Sequence, residues 1–477
     1  MMTASRSSQP LSRAARWAVL AAAFAGLLFD GFELGLMPIA SLSVSQSLLG
    51  DQFTHPLAGD WFARFTASLM LGAAVGGIAL GSLGDRIGRT RAMGISILFY
   101  SIFAGLGAFV KTQEQMLVLR FLVGLGVGGM WPNGVVLVSE CWPNASRPLV
   151  AGVMGAGVNC GILILSQMAR VWPITPDAWR WLFQLAAVPA ALGILVLFAL
   201  PESPKWLASR RRRAEMDMKD PRCEPGGASA EGRSEGRQVL ECGSPLPLSA
   251  PASAPSASPK RQRTGALQDA SATGSLLAEL FRPPLFRLTL IGIVLASIPL
   301  VGAWAASKWM IPWADKLASA THPGYKAVVQ GWWALGATLG SFMGAQVAAW
   351  LGRRLSYFLI SLGTTVLTID MFQLTAPLEP AILPVVFAQG FVATLFFGWL
   401  PYYLPELFPT RVRATGSGLA MNSGRFATAV GVLVSGILFA ALGGSYPMVG
   451  AFGALIYALG MIAIWFAPDT RGKNLDD

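Results

Sequence analysis

The sequence predicts an all-α membrane protein, with twelve transmembrane helices arranged as two parallel six-helix repeats. Three observations predict it. Only 13% of the 477 residues are charged and 53% are hydrophobic, where an ordinary soluble domain is about 25% charged. Apolar runs long enough to cross a bilayer recur twelve times along the chain. Short polar motifs at the ends of those runs repeat at an almost constant offset. Together these exclude a disordered chain, a disulfide scaffold and a typical soluble enzyme.

The runs lie near 16–42, 60–83, 92–110, 116–139, 148–170, 179–200, 286–312, 326–350, 355–374, 381–404, 414–440 and 446–467. The first reads on through Asp30 and Glu33 to Pro38 without a small-residue cleavage site. It is therefore expected to be a span and not a signal peptide. The net charge of +11 would suggest nucleic acid in a soluble protein. In a membrane protein it reads as the positive-inside rule, and no nucleic-acid partner is expected. With both termini inside, 27 Lys and Arg fall on the inner side and eight at the outer ends. The chain is thus expected to be an integral, multi-pass protein of the cytoplasmic (inner) membrane, with both termini cytoplasmic, acting as a monomer.

Between spans six and seven, residues 205–284 open on Arg210-Arg211-Arg212-Arg213 and continue in Ser, Pro, Ala and Gly. Such a segment cannot bury enough to fold alone. It is expected to be a disordered cytoplasmic linker between an N-terminal six-helix half, 1–204, and a C-terminal half, 285–477. Its basic clusters could also rest on anionic lipid. Cys141, Cys160, Cys223 and Cys242 form no C-x-x-C pair, and His55 and His322 fall in outer loops. All four cysteines are expected to be free thiols, and no metal site or cofactor is expected.

The repeat is explicit. Glu140, Pro143, Arg147 and Gly152 after span four match Glu406, Pro409, Arg413 and Gly418 after span ten, all at an offset of 266. Gly88-Arg89 matches Gly352-Arg353 at 264, and Pro201-Glu202-Ser203 matches Pro468-Asp469-Thr470 at 267. Two halves in the same orientation are the arrangement of carriers that work by alternating access, with the substrate site between the halves.

The motifs carry a family resemblance. Gly81-Ser-Leu83-Gly84-Asp85-Arg86-Ile-Gly88-Arg89 resembles the loop signature of the major facilitator superfamily, and Arg120-x-x-x-Gly124-x-Gly126-x-Gly128 its fourth-helix signature. Pro201-Glu-Ser-Pro-Lys-Trp206 and Pro468-Asp-Thr-Arg-Gly472 resemble the half-ending motifs of its sugar-porter-like branch. Asp30-Gly31-Phe32-Glu33 is similar to the Asp-Gly-Tyr-Asp signature of its aromatic-acid:proton symporters, with Glu in place of the second Asp. The resemblance implies the major facilitator fold and spans everything but the linker. Departures narrow it. The second loop reads Val347-Ala348-Ala349-Trp350-Leu351-Gly352-Arg353, without the Asp-Arg pair. The fifth helix, at Gly157-Val-Asn159-Cys-Gly161, lacks the Gly-Pro of drug antiporters. The seventh, at Ser297-Ile-Pro299-Leu-Val-Gly302-Ala-Trp304, lacks the Gln-Gln of sugar porters.

Charges inside spans are costly and default to function. Asp30 sits about 14 residues into span one, about 21 Å deep at 1.5 Å per residue, and Glu33 lies one turn on. Burial disfavours the charged form of a carboxylate, which suits reversible proton uptake; the plain alternative is a packing ion pair. Arg120, a few residues into span four, is the natural partner. Protonating Asp30 or Glu33 would release it to bind an anion, unless it snorkels to the headgroups. Arg425 lies mid-membrane in span eleven, opposite Asn159 in the repeat, with Asn422 one turn before it. It is expected to meet the substrate or a structural carboxylate. Asn133, Gln389, Trp304 and Trp399 are further candidates for substrate binding, within an aromatic cluster that includes Trp309, Trp332 and Trp333. Trp309 and Trp313 read more simply as membrane-interface residues; Lys308, at the outer end of span seven, could attract an anion but reads more simply as a headgroup lysine.

At the inner ends, Gly81, Asp85, Arg86, Gly88, Arg89, Glu140, Arg147 and Glu202 face Arg353, Glu406, Arg413 and Asp469 as a cytoplasmic gate, its salt bridges individually weak. The chain shows no phosphate loop and no hydrolytic or redox constellation, so it is expected not to be an enzyme. Its expected partners are a small-molecule substrate, protons and the bilayer. The expected function is secondary transport by alternating access: proton-coupled import of a small organic anion, an aromatic, sugar or other metabolite acid. The alternatives are a sugar or polyol carrier and a transporter-like nutrient sensor.

Overall fold

The structure, a computed structural model, describes residues 11–142, 147–218, 278–409 and 412–470. Among the described residues, twelve helices are long and apolar enough to cross a membrane: Arg13–Gln52, His55–Ile87, Arg89–Phe109, Gln113–Cys141, Leu149–Val171, Arg180–Ala199, Leu285–Ala318, Tyr325–Leu351, Arg353–Gln373, Ile382–Leu407, Thr415–Ala441 and Tyr446–Phe466. Each overlaps one expected run, and they are numbered here as spans one to twelve. The protein is an integral, multi-pass membrane protein. Its outer surface is apolar, with Phe198 86% and Ile437 67% exposed, as a lipid-facing wall requires. Successive spans run in opposite directions. The face on which span one begins, expected from the basic residues to be cytoplasmic, is the proximal face; the other is the distal face.

Local chemistry sets the helix ends. Ser12, Thr54 and Thr112 cap spans one, two and four, each hydroxyl accepting from a backbone N–H three residues on. Gly88 and Gly352 end spans two and eight and start the next spans, with φ of 114° and 85°. Only glycine adopts such angles without strain, which explains the repeated Gly-Arg pair. A side chain at Gly88 would also strike the Glu202 carboxylate.

Glycine also sets the packing. Span two lies so close to span four that a Cβ at Gly72 would collide with the Phe121 carbonyl; one at Gly336 of span eight would collide with that of Phe387 in span ten. Small residues allow such backbone approach in membranes, and here it recurs in both halves. Across the halves, span two packs on span eleven and span five on span eight.

The structure adds two details. Span seven is broken: helix Leu285–Ala305, a tight turn at Ser307–Trp309, then helix Met310–Ala318. The segment after span six begins as a helix, Pro204–Met218, where disorder was expected from 205. The cause is local: Ser203 Oγ accepts from Trp206 N at 3.2 Å, and a proline at the first position suits a helix start. Residues 219–277, with Cys223 and Cys242, lie outside the described residues. Cys141 and Cys160 are free thiols.

Candidate functional site

Between the halves lies a cavity of about 130 Å³, of the size that elsewhere holds a single six-membered ring. Asp30, Asn159, Trp304, Lys308, Trp333 and Arg425 are on its wall, and Met70, Val127, Ile162 and Leu300 make apolar stretches of it.

Asp30 comes from span one. Gly31 beside it lets span five approach until a Cβ there would collide with the Val158 carbonyl, so the carboxylate is set against the helix that carries Asn159. Asp30 is 3% exposed and its Oδ1 has no hydrogen-bond partner. Arg425 reaches the same cavity from span eleven of the other half. Arg425 Nη1 donates to the Ala73 carbonyl of span two at 3.1 Å and to Asn422 Oδ1 at 3.4 Å. Asn159 Nδ2 donates to Ser341 Oγ of span eight at 2.9 Å, a second polar tie between the halves at the cavity.

Glu33 and Arg120 pair at 3.4 Å, with side chains 1% and 0% exposed, as their depths in the sequence suggested. Arg120 lies over the Phe183 ring, 5.5 Å from its centroid. The pair is sealed inside the first half, off the cavity wall. An anion in the cavity therefore meets Arg425 and Lys308, and the expected release of Arg120 to an anion has no path here.

Three other expected substrate residues also sit elsewhere. Asn133 donates to the Leu80 and Gly129 carbonyls at 3.0 and 2.8 Å, tying span two to span four. Trp399 is fully buried against Tyr357 and Tyr403, and its Nε1 donates to the Arg353 carbonyl. Gln389 stands one layer behind the wall, where its Oε1 accepts from Trp333 Nε1 at 2.7 Å and its Nε2 donates to Ser307 Oγ at 2.6 Å. In each case a partner inside the same half uses the polar atoms.

Three residues of span seven that the sequence reading assigned to the membrane interface pack inside the protein: Lys308, Trp309 and Trp313 are buried, and Lys308 lines the cavity. The helix runs six residues past its expected end at 312. Trp309 packs between Phe62 of span two and Phe439 of span eleven, at 5.2 and 4.9 Å. Nearby, Lys326 Nζ bonds Asp315 Oδ2 at 2.9 Å and Ser43 Oγ of span one at 3.0 Å. The Trp309–Phe62 and Lys326–Ser43 contacts cross between the halves on the distal side. Asp315 and Lys326 gave no sequence signal beyond opposite charge, because Asp315 falls in what reads as a loop and Lys326 at the very start of the next expected run.

The Major Facilitator Superfamily pattern matches residues 19–421. The chain belongs to that superfamily. It is 27% identical to a cis,cis-muconate transport protein of Acinetobacter baylyi, covering 91% of this chain and 92% of the relative. It is 27% identical to a gallate transporter of Pseudomonas putida, covering 91% and 87%. The crystal structure of a D-xylose-proton symporter superposes with a TM-score of 0.65 at 16% identity, over 96% of this chain and 99% of the other. That likeness is one of fold.

The superfamily loop motifs form their contacts within each half. Asp85 pairs with Arg89. Glu202 accepts from Thr90 N at 3.0 Å, and Trp206 Nε1 donates to the Asp85 carbonyl at 2.9 Å. Ser203 donates to Glu140, and Thr470 donates to Glu406 in the second half, so the repeat extends to single hydrogen bonds. Arg353 pairs with Glu406 at 2.7 Å, where Arg89 takes Asp85. The second half has Ala349 at the place of Asp85, and its arginine turns to the next acid. Gly81 lies 3.6 Å, by an added Cβ, from Pro132 of span four. Arg86 is exposed, and Arg413 donates to the Phe408 carbonyl at 3.4 Å. The Arg147 side chain lies outside the described residues.

Proposed function

We propose that this transporter is a proton-coupled symporter that imports a small organic anion, an aromatic or other metabolite acid, by alternating access. The observation that carries the reading is the pair Asp30 and Arg425 on opposite walls of one cavity. While Asp30 is ionised it engages Arg425. A proton on Asp30 removes that charge and leaves the guanidinium for a substrate carboxylate, so that proton and anion bind together. Glu33, paired to Arg120, is a second buried carboxylate one turn deeper and serves as a relay for the proton. Asn159 and Trp304 orient the substrate, and Asn422, off the cavity wall, positions Arg425. The named substrates of the two relatives, muconate and gallate, support an acid.

The same proposal takes the proximal face as cytoplasmic, in the inner membrane, with both termini there, and the protein as a monomer. The distal side is then shut in this state. The proximal charges, Asp85, Arg89, Glu140, Glu202, Arg353, Glu406, Arg413 and Asp469, would re-pair across the halves when the proximal side shuts.

The test is uptake by proteoliposomes from a mixture of metabolite acids, sugars and polyols. An acid that accumulates only under an inward proton gradient, and is lost with a protonophore, supports the proposal. Protonophore-insensitive exchange of a neutral sugar would replace it with the sugar or polyol reading.

A further inference from the structure

A buried ammonium needs a counter-charge or a strong compensation. Lys308 is 2% exposed and lines the cavity, yet its Nζ has no hydrogen-bond partner. Its compensation is one aromatic face: Nζ lies 3.2 Å from the centroid of the Trp333 ring, a cation–π contact. That ring is held in place. Its Nε1 donates to Gln389, which in turn donates to Ser307, the residue before Lys308. The lysine stands in the tight turn where span seven is broken. Interrupted spans are where carriers of this kind expose groups to their substrates.

Asp30 and Arg425, of opposite charge, line the same cavity. Lys308 is thus an amine on that wall with no hydrogen-bond partner among the described residues, available to pair with an anion. Trp304 on the same wall adds an aromatic surface, and the space fits a single ring.

Resting on the anion reading above, we infer that Lys308 receives the carboxylate of the substrate together with Arg425, and that it adds to the preference of the site for a carboxylate over its neutral isostere. The Trp333 ring holds the ammonium while the site is empty. The carboxylate joins it when the substrate enters, while Arg425 exchanges between Asp30 and the substrate.

The test compares the full chain with Lys308→Met and Lys308→Arg. Binding of benzoate, gallate, cis,cis-muconate and the neutral benzamide is measured in detergent, and uptake of the same compounds and of D-xylose in proteoliposomes. The wild type should prefer benzoate to benzamide. Lys308→Met should lose affinity for the acids by about tenfold or more, the scale of a hydrogen bond to a charged group, keep its affinity for benzamide, and so narrow the preference for benzoate by the same factor. Retained benzamide binding shows that this variant is folded. Lys308→Arg should keep the preference for the acid. If Lys308→Met keeps the wild-type ratio of acid to amide while the wild type accumulates an acid, the assignment of Lys308 fails and the symport reading stands. A wild-type protein that binds none of the acids, or takes up only D-xylose, overturns both.

Discussion

The two halves share a scaffold and differ where the cavity chemistry is. Gly72 and Gly336 make the same close helix contact, and Glu140–Ser203 and Glu406–Thr470 make the same hydrogen bond at the proximal ends. At the cavity the resemblance stops. The first half contributes the carboxylate Asp30; the second contributes the bases Lys308 and Arg425. The helix packing and the proximal hydrogen bonds are repeated, while the cavity charges are divided between the halves. A charge pair split across a moving interface can exchange partners during the cycle, which a pair sealed in one half, such as Glu33–Arg120, cannot do as readily.

The largest effect should come from the distal lock. The second half supplies both charges, Asp315 and Lys326, and the first supplies the Ser43 hydroxyl. Lys326→Met leaves a buried carboxylate unpaired, at a cost of about 3–5 kcal/mol. A lower melting temperature and a shift toward the distal-open state, read by labelling of cysteines introduced on the distal side, are expected. An unchanged melting curve would show that the lock carries no weight. Arg425→Gln keeps the size of the site and removes its shared charge. Substrate binding should weaken about 10- to 100-fold, the loss of one hydrogen bond to a charged group, measured by equilibrium binding.

Smaller effects separate the repeated glycines. An alanine at Gly152 would press its Cβ to 2.8 Å from the Phe342 carbonyl of the other half, whereas nothing lies within 4 Å of one at Gly418. Gly152→Ala should lower the melting temperature. Gly418→Ala should be neutral or raise stability by up to about 1 kcal/mol, the helix preference for alanine. Equal behaviour of the two would contradict the asymmetry at this interface.

Much of this was legible in the sequence. Composition and run length placed all twelve spans, because lipid tolerates few other solutions. The end motifs disclosed the repeat, and depth alone paired Glu33 with Arg120. What stayed hidden was which way each helix faces. Spans that are apolar toward both lipid and core carry no periodic stripe to mark the cavity side, so Gln389, Trp399 and Asn133 looked as eligible as Asn159. The Lys308 site was hidden by a different cause: the break in span seven, and its continuation to Ala318, moved a lysine from the expected headgroup layer into the core.

The most direct measurement compares two modes of transport in Asp30→Asn. In proteoliposomes, exchange of labelled for unlabelled acid needs the substrate site alone, while accumulation under a proton gradient needs the proton site as well. If the first half carries the proton and the second holds the anion, Asp30→Asn should keep exchange and lose gradient-driven accumulation. Accumulation in Asp30→Asn that still collapses with a protonophore would contradict that division.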